Sequence, residues 1–213
     1  MIPYGTFTFF LIAFIVLIPV IILGFLGKRS YIYNGISTAI MIVIIFASDK
    51  HNLLGQKYLS AQLFCFIIYV IWQVALIMYY YQSRQRKNTF TKFVTIMVLS
   101  ILPLAIVKIL QSSWLGGHQI HFHESKLIEF VGFLGISYVT FKSVQLIMEI
   151  RDGSIKEIKV GKLIQFISFF PTISSGPIDR YKRYVKDDKK VPSGAEYREL
   201  VIKAIHMLSL IHI

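Results

Sequence analysis

The chain has 213 residues, of which 55% are hydrophobic and 16% are charged, and its 23 Lys and Arg outnumber its 11 Asp and Glu. Soluble globular domains carry about 25% charged residues, so this composition excludes a cytosolic enzyme and a disordered chain. The single cysteine, Cys65, lies inside an apolar run, which excludes a disulfide scaffold. A membrane protein with several spans is the class that remains.

Five apolar segments predict transmembrane helices, and the expected fold is an all-α polytopic membrane protein. A helix needs about 20 apolar residues to cross a bilayer. The uncharged runs at residues 7–26, 31–48 and 59–81 reach or approach this length. Two further apolar segments follow at residues 93–110 and 127–150.

The basic residues predict how these spans are oriented, because Lys and Arg are enriched in cytoplasmic loops. With the N-terminus outside, the inside loops hold 2, 4 and 4 bases and the outside loops hold 2 and 1. The first apolar run lacks a basic segment before it and a cleavage site after it, so it is not a signal peptide. We expect a multi-pass protein of the cell membrane. No nucleic acid partner is expected, since no soluble module carries a basic face.

Residues 163–178 break the pattern of spans. This segment is uncharged for 16 residues, which is short for a crossing, and Pro171 and the pair Gly176-Pro177 interrupt it. A crossing would place the six bases of residues 180–190 outside. We therefore expect a re-entrant element that enters from the cytoplasm and returns there, which is tolerated where protein buries the broken helix. A kinked sixth span is the alternative.

An amphipathic helix is predicted at residues 194–207, on the cytoplasmic side of the membrane. Ser193 and Glu196 have the spacing of a capping box. One apolar face then follows at helical spacing, through Tyr197, Leu200, Val201, Ala204, Ile205 and Leu208. Such a helix is expected to lie in the membrane interface.

Two stretches resemble the membrane-bound O-acyltransferase family, in its teichoic acid D-alanyltransferase branch. They are residues 135–145 (GISYVTFKSVQ) and residues 169–181 (FFPTISSGPIDRY). The motif residues in and around the predicted re-entrant element are Phe170, Pro171, Ser175, Gly176, Pro177, Ile178, Asp179 and Arg180. The resemblance covers residues 1–207, which correspond to the N-terminal half of such a protein.

The resemblance implies an acyl transfer across the membrane, through a tunnel within a ring of helices. The implied donor is D-alanine, held as a thioester on the phosphopantetheine arm of a carrier protein at the cytoplasmic face, so no cofactor is expected to be bound. The implied acceptor is teichoic acid, most specifically lipoteichoic acid, at the outer face of a Gram-positive cell. The bases at residues 180–186 suit a rim that attracts an acidic carrier, or one that binds anionic headgroups.

The resemblance also indicates what this sequence lacks. In the family, the intramembrane histidine that activates the acceptor hydroxyl belongs to helices well downstream of the Gly-Pro-Ile turn. The histidines before residue 208 are predicted in outside loops or on the polar side of the amphipathic helix, at positions 51, 118, 121, 123 and 206. We therefore expect an acyltransferase fragment that contains no catalytic residue and is inactive by itself.

The last six residues, 208–213, resemble one reading frame of a sequencing-library adapter. We expect them to be a scar, with an ordinary apolar continuation as the alternative. His212 is for this reason not a candidate catalyst.

Lys142 is the most unusual charge, because it interrupts the fifth predicted span near its middle. An ionisable group at that depth usually faces a cavity or a partner. Tyr138 and Gln145 lie near it on the helix surface, and the three residues are candidates for lining the acyl tunnel. An ion pair between Lys142 and an acid in the downstream half is the alternative.

A metal site and a transport function are the two other interpretations of the sequence. His118, His121 and His123 match the spacing of no standard metal site, so no metal is expected. A transporter or channel with a re-entrant substrate site is the alternative function, since broken helices at membrane depth also form solute and ion sites.

Overall fold

The structure is a computed structural model that describes residues 7–28, 31–47, 59–86, 89–111, 135–155, 157–173, 179–189 and 192–211. Every regular element in these ranges is a helix. The α-helices are α1 (Phe7–Phe25), α2 (Tyr31–Ala47), α3 (Leu59–Arg86), α4 (Phe90–Gln111), α5 (Ile136–Arg151), α6 (Val160–Ile167), α7 (Tyr181–Lys189) and α8 (Gly194–Ile211), with a 3₁₀ turn at Phe170–Thr172. The predicted class, an all-α polytopic membrane protein, is confirmed.

Three of the described helices are long and apolar enough to cross a membrane: α1, α3 over Gln62–Gln85, and α4 over Phe90–Ile109. The apolar part of α2, Ile32–Phe46, is shorter. These four helices match the first four predicted spans. Helix α5 matches the end of the fifth, whose residues 127–134 lie outside the described residues.

The chain divides into two compact units, one of residues 1–48 and 186–213 and one of residues 49–185. In the second unit, α5 packs against both α3 and α4, and α6 packs against α3 and α5. The core side chains of this unit are fully buried and aliphatic, for example Ile77, Ile147, Leu163 and Ile167. Helix α5 is therefore the central element of the second unit.

A buried chain of hydrogen bonds joins α3, α4 and α5. The Gln73 amide nitrogen donates to the Tyr69 hydroxyl at 2.8 Å and to the Ser100 carbonyl at 3.0 Å. The Ser100 hydroxyl donates back to the Gln73 side-chain oxygen at 2.7 Å. The Tyr69 hydroxyl lies 2.6 Å from that of Thr140, which donates to the Ile136 carbonyl. These groups satisfy one another, which is what a polar cluster needs when no water surrounds it.

In the first unit, α1 packs against α2 and α8. Phe9 is the one buried residue of α1, and exposed apolar side chains such as Phe10 and Phe14 are free to face lipid. Gly24 lies against the Tyr197 ring, and Tyr197 meets Phe25 edge to face with a centroid distance of 5.2 Å. Helix α8 therefore contacts α1 through a surface that only a glycine leaves open.

The predicted capping box at the start of α8 is present. The Glu196 backbone N–H donates to the Ser193 hydroxyl at 3.3 Å, and the Ser193 N–H donates to the Glu196 carboxylate at 3.1 Å. The predicted apolar face is only partly covered, because Tyr197 and Val201 are half-buried while Leu200 is 56% exposed. The helix continues to Ile211, past the predicted end at residue 207, so it runs into the six residues expected to be a scar.

Candidate functional site

The two motifs that carry the family resemblance contact each other in the second unit. Gly135, which precedes α5, has a φ of +91°, and a β-carbon added to it would overlap the carbonyl oxygen of Ile173. Two turns further along α5, Lys142 contacts Phe166 and Thr172. The two motifs are far apart in the sequence, because α6 lies between them, and the fold brings them together into one site.

From Phe166 to Lys182, the chain first runs towards the start of α5 and then returns towards its end. Phe166 lies beside Lys142 and Ile173 lies beside Gly135, after which the Lys182 backbone N–H donates to the Glu149 carboxylate at 3.3 Å. With a rise of 1.5 Å per residue, the stretch of α5 from residue 135 to residue 149 is about 21 Å long. Such a path is what the predicted re-entrant element requires, and its position in a membrane stays a prediction.

The sequence explains why the chain breaks where it does. Helix α6 has 8 residues, Val160–Ile167, so it is about 12 Å long and cannot cross a bilayer by itself. Phe169 leaves helical geometry, with φ −57° and ψ 108°, and Pro171 has no N–H with which to continue the hydrogen bonds of α6. Pro171 is accommodated in the first turn of the 3₁₀ helix, where its missing N–H is not needed.

Lys142 is buried between α5 and this broken segment, with 2% of its surface exposed. Its ammonium group donates to the Thr172 hydroxyl at 2.6 Å and to the Phe166 carbonyl at 3.2 Å. It also lies 5.5 Å from the centroid of the Phe166 ring, within the range of a cation–π contact. All three partners are uncharged, and Lys142 forms no ion pair with any described residue.

A cavity of about 280 Å³ opens beside this ammonium group. Its lining includes Phe166, Phe169 and Thr172 of the broken segment, together with Asp179, which precedes α7, and Arg183 and Tyr184 of α7. The Tyr184 ring packs on Phe166 at a centroid distance of 5.3 Å. The cavity thus combines charged groups of both signs with an aromatic wall.

Glu149 connects the first turn of α7 to the central helix. The residue is 9% exposed, and one of its carboxylate oxygens accepts the Lys182 N–H while the other is buried without a hydrogen-bond partner. Tyr181, also buried, meets Phe166 edge to face at 5.4 Å. A carboxylate at the start of a helix is favourable because the first backbone N–H groups lack partners within the helix.

Basic residues of two predicted inside loops lie together at the C-terminal end of α5. The Arg84 side chain donates to the Arg151 carbonyl at 3.2 Å, and the Arg151 guanidinium carbon lies 4.3 Å from the Phe93 ring centroid. Lys92 donates to the Ser83 hydroxyl at 2.9 Å. The end of α3, the end of α5 and the start of α4 therefore lie at the same end of the helix bundle in the second unit, as the predicted topology requires.

The structure brings part of the predicted set of site residues together. Asp179 lines the cavity. Phe170 is buried, and Pro171 and Arg180 are exposed, and these three do not line it. Tyr138 and Gln145 are half-buried on α5 and do not line the cavity, so their role in a tunnel stays a prediction. Four motif residues lie outside the described residues: Ser175, Gly176, Pro177 and Ile178.

Several residues of the site had not been predicted from the sequence. Thr172 and Phe166 supply the acceptors for Lys142, and Glu149 positions α7. The sequence could have indicated Glu149, because an acidic residue inside an apolar segment is rare and is usually functional or paired. Nothing in the sequence indicates Thr172, because a threonine next to a proline is common and only the fold places it beside Lys142.

No protein-family model matches the chain. Comparison with curated proteins finds a teichoic acid D-alanyltransferase of Bacillus subtilis (strain 168), 44% identical over 209 residues, which covers 98% of this chain and 49% of the relative. The enzyme of the same name from Lacticaseibacillus rhamnosus is 42% identical over 211 residues, covering 98% and 47%. That from Streptococcus thermophilus (strain ATCC BAA-250 / LMG 18311) is 31% identical over 208 residues, covering 98% and 45%.

These matches confirm the resemblance and its branch. The similarity extends over nearly all of this chain, while the chain spans about half the length of the curated relatives it matches. Both motifs lie within a chain that matches almost end to end, so the site around Lys142 belongs to the shared sequence.

Proposed function

We propose that this chain, a homologue of the teichoic acid D-alanyltransferases along almost its entire length, takes part in transferring D-alanine to teichoic acid at the cell membrane. The observation that carries the proposal is the 44% identity over 209 residues to a curated enzyme of that name. The apolar helices support a membrane location, and the two motifs contact each other through Gly135 and Ile173 and through Lys142 and Thr172.

In the proposed reaction, D-alanine arrives as a thioester on the phosphopantetheine arm of a carrier protein at the cytoplasmic face. A hydroxyl of lipoteichoic acid attacks the thioester carbonyl, so that a C–O bond forms and the C–S bond breaks. The hydroxyl proton passes to a general base, and the sulfur leaves as a thiolate that is protonated in turn. A base with a pKa near neutrality suits this step, and we place it in the downstream half of the enzyme.

The contribution proposed for this chain is the cytoplasmic part of the acyl path. Lys142 and the broken segment α6 to α7 would border the path, and the exposed bases of residues 180–186 would attract an acidic carrier, because a positive rim raises the rate of encounter with a negative partner. The N-terminus is proposed to lie outside. By itself the chain is proposed to be inactive.

A cellular assay tests this function. The source genomic DNA is read onward from the codon of Met207, and the full-length gene and the 213-residue chain are each expressed in a Gram-positive strain that lacks its own D-alanyltransferase. Ester-linked D-alanine is then released from the teichoic acid by mild alkali and measured. The full-length protein should restore D-alanine and the chain alone should not.

Each contrary outcome of this assay has its own meaning. If the full-length protein restores nothing while being inserted in the membrane, the proposed function is wrong. If the chain alone restores D-alanine, the function stands and the assignment of catalysis to a downstream half is wrong. A stop codon directly after residue 213 in the genome would contradict the proposed continuation.

A further inference from the structure

The cavity beside Lys142 has a charge that the described protein does not balance. A buried ammonium group is costly unless an anion compensates it. The direct contacts of the Lys142 ammonium group are a hydroxyl, a carbonyl and an aromatic ring, and the Asp179 carboxylate acts on it through space while also pairing with Arg183. An ammonium group has three hydrogens to donate, and two are used. The third is available for a ligand in the cavity.

The charges of the remaining lining cancel each other, so the charge of Lys142 is left over. Arg183 and Asp179 lie at the cavity, with the Arg183 Nε 3.9 Å from the Asp179 carboxylate. That carboxylate also accepts the Arg180 backbone N–H at 2.8 Å, so its charge is shared among other donors. Two cations and one carboxylate leave the lining with a surplus of one positive charge.

We infer that this cavity is a binding site for a phosphate ester group, held between the Lys142 ammonium and the Arg183 guanidinium. Arginine and lysine are the side chains that bind phosphate oxygens, one through a planar fork and one as a point charge. The rings of Phe166, Phe169 and Tyr184 would pack on the carbon chain that carries the phosphate.

The size of the cavity limits what it can hold. Sites for whole drug-sized ligands measure about 300 to 1,000 Å³, and this cavity, at about 280 Å³, suits one group of a longer molecule. The inference rests on the proposed function in one respect, since both of its substrates, a phosphopantetheine arm and a teichoic acid, contain phosphodiester groups. The chemistry is shared, and the experiment separates the two sources.

The test measures binding to the full-length protein in detergent by isothermal titration calorimetry. The probes are inorganic phosphate, sn-glycerol 3-phosphate and pantetheine 4′-phosphate, with acetate as a simple anion. One of the two esters should bind more tightly than inorganic phosphate and acetate, and the ester that does so identifies the source. Lys142→Met should weaken that binding by about ten- to a hundredfold, as expected for loss of a charged hydrogen bond.

Variants distinguish a lost site from a lost fold. Lys142→Arg keeps the charge and should retain most of the affinity. Arg183→Gln removes a side chain that is 74% exposed, so it should weaken binding without affecting folding, and it serves if Lys142→Met does not fold. Lys203→Met, at an exposed position of α8, should leave binding unchanged. Equal binding by wild type, Lys142→Met and Arg183→Gln, or no ester binding at all, would overturn the inference.

The assay of D-alanine in cells separates this inference from the proposed function. Equal ester binding by wild type and Lys142→Met, together with wild-type D-alanine content in cells, would overturn the inference while leaving the function in place. Absence of D-alanine transfer by the wild-type protein would overturn the function, whatever the calorimetry shows.

Discussion

The carbonyl oxygen of Ile173 faces the α-carbon of Gly135 so closely that no side chain fits between them. This contact joins Gly135, the first residue of the motif at 135–145, to the residue that follows the 3₁₀ turn. Among the contacts described between α5 and the broken segment, it is the one furthest from Glu149. The position of Lys142 depends on it, because Thr172 precedes Ile173 and accepts the lysine's shortest hydrogen bond. The contact between Gly135 and Ile173 thus fixes the position along α5 at which the cavity forms.

Replacing Gly135 with alanine should therefore disrupt the site. The new methyl group would meet backbone rather than a movable side chain, and the positive φ adds strain for any residue with a β-carbon. Gly153→Ala is the matched control, because Gly153 also has a positive φ but faces the mobile end of Arg84.

We expect Gly135→Ala to lower the free energy of unfolding in detergent by about 1 to 3 kcal/mol more than Gly153→Ala, the usual cost of overpacking. Phosphate ester binding should weaken in Gly135→Ala alone. Equal effects of the two substitutions on both measurements would mean that the contact with Ile173 is unimportant.

The buried polar cluster around Gln73 predicts a second stability effect. Gln73→Leu would remove the acceptor of the Ser100 hydroxyl and one donor to the Tyr69 hydroxyl. Tyr69 keeps its contact with Thr140, whereas the buried Ser100 hydroxyl loses this acceptor. An unsatisfied buried polar group costs about 1 to 3 kcal/mol. Thermal unfolding in detergent should show this loss, whereas Gln85→Leu, at an exposed position of the same helix, should change stability little. A stable Gln73→Leu protein would mean that the cluster reorganises without cost.

The contact between α1 and α8 predicts a coupling between Gly24 and Tyr197. A methyl group at Gly24 would overlap the Tyr197 ring, so Gly24→Ala should expose the start of α8 to protease. Tyr197→Ala should suppress the effect of Gly24→Ala in the double variant, as a double-mutant cycle would reveal. Gly35→Ala meets nothing within 4 Å and should be neutral or stabilising, because alanine favours a helix. Independent effects at residues 24 and 197 would contradict the proposed docking.

Most of the fold was predictable because apolar length is a strong signal. The helices α1, α3 and α4 follow directly from uncharged runs, and the capping box of α8 follows from Ser193 and Glu196. The break between α6 and α7 was predictable from Pro171, because a proline interrupts a helix through its own geometry, without help from the rest of the fold.

The candidate site was less predictable because it is assembled by tertiary packing. The sequence identified Lys142 as unusual, but its acceptors come from residues 24 and 30 positions away. The neighbours chosen for it by helical spacing, Tyr138 and Gln145, lie on the same helix but outside the cavity lining. Spacing on one helix cannot indicate which face a second, broken helix will cover.

The course of the broken segment provides the last prediction, which distinguishes a re-entrant element from a sixth span. Glu149, near the end of α5, binds the backbone of Lys182 at the start of α7, so both should be on the side where α5 ends. That end also carries Arg151, which contacts Arg84. Under the predicted topology, all of these residues face the cytoplasm.

Single cysteines in a Cys65→Ala background test this arrangement with a membrane-impermeant thiol reagent on intact cells of the full-length protein. His51→Cys, in a predicted outside loop, should be labelled directly. Gln85→Cys and Lys186→Cys, both at exposed positions, should be labelled only after the membrane is permeabilised. Labelling of Lys186→Cys on intact cells with Gln85→Cys protected would establish a sixth crossing. That result would also move the bases of residues 180–186 away from any cytoplasmic carrier, because a crossing places them on the opposite face of the membrane.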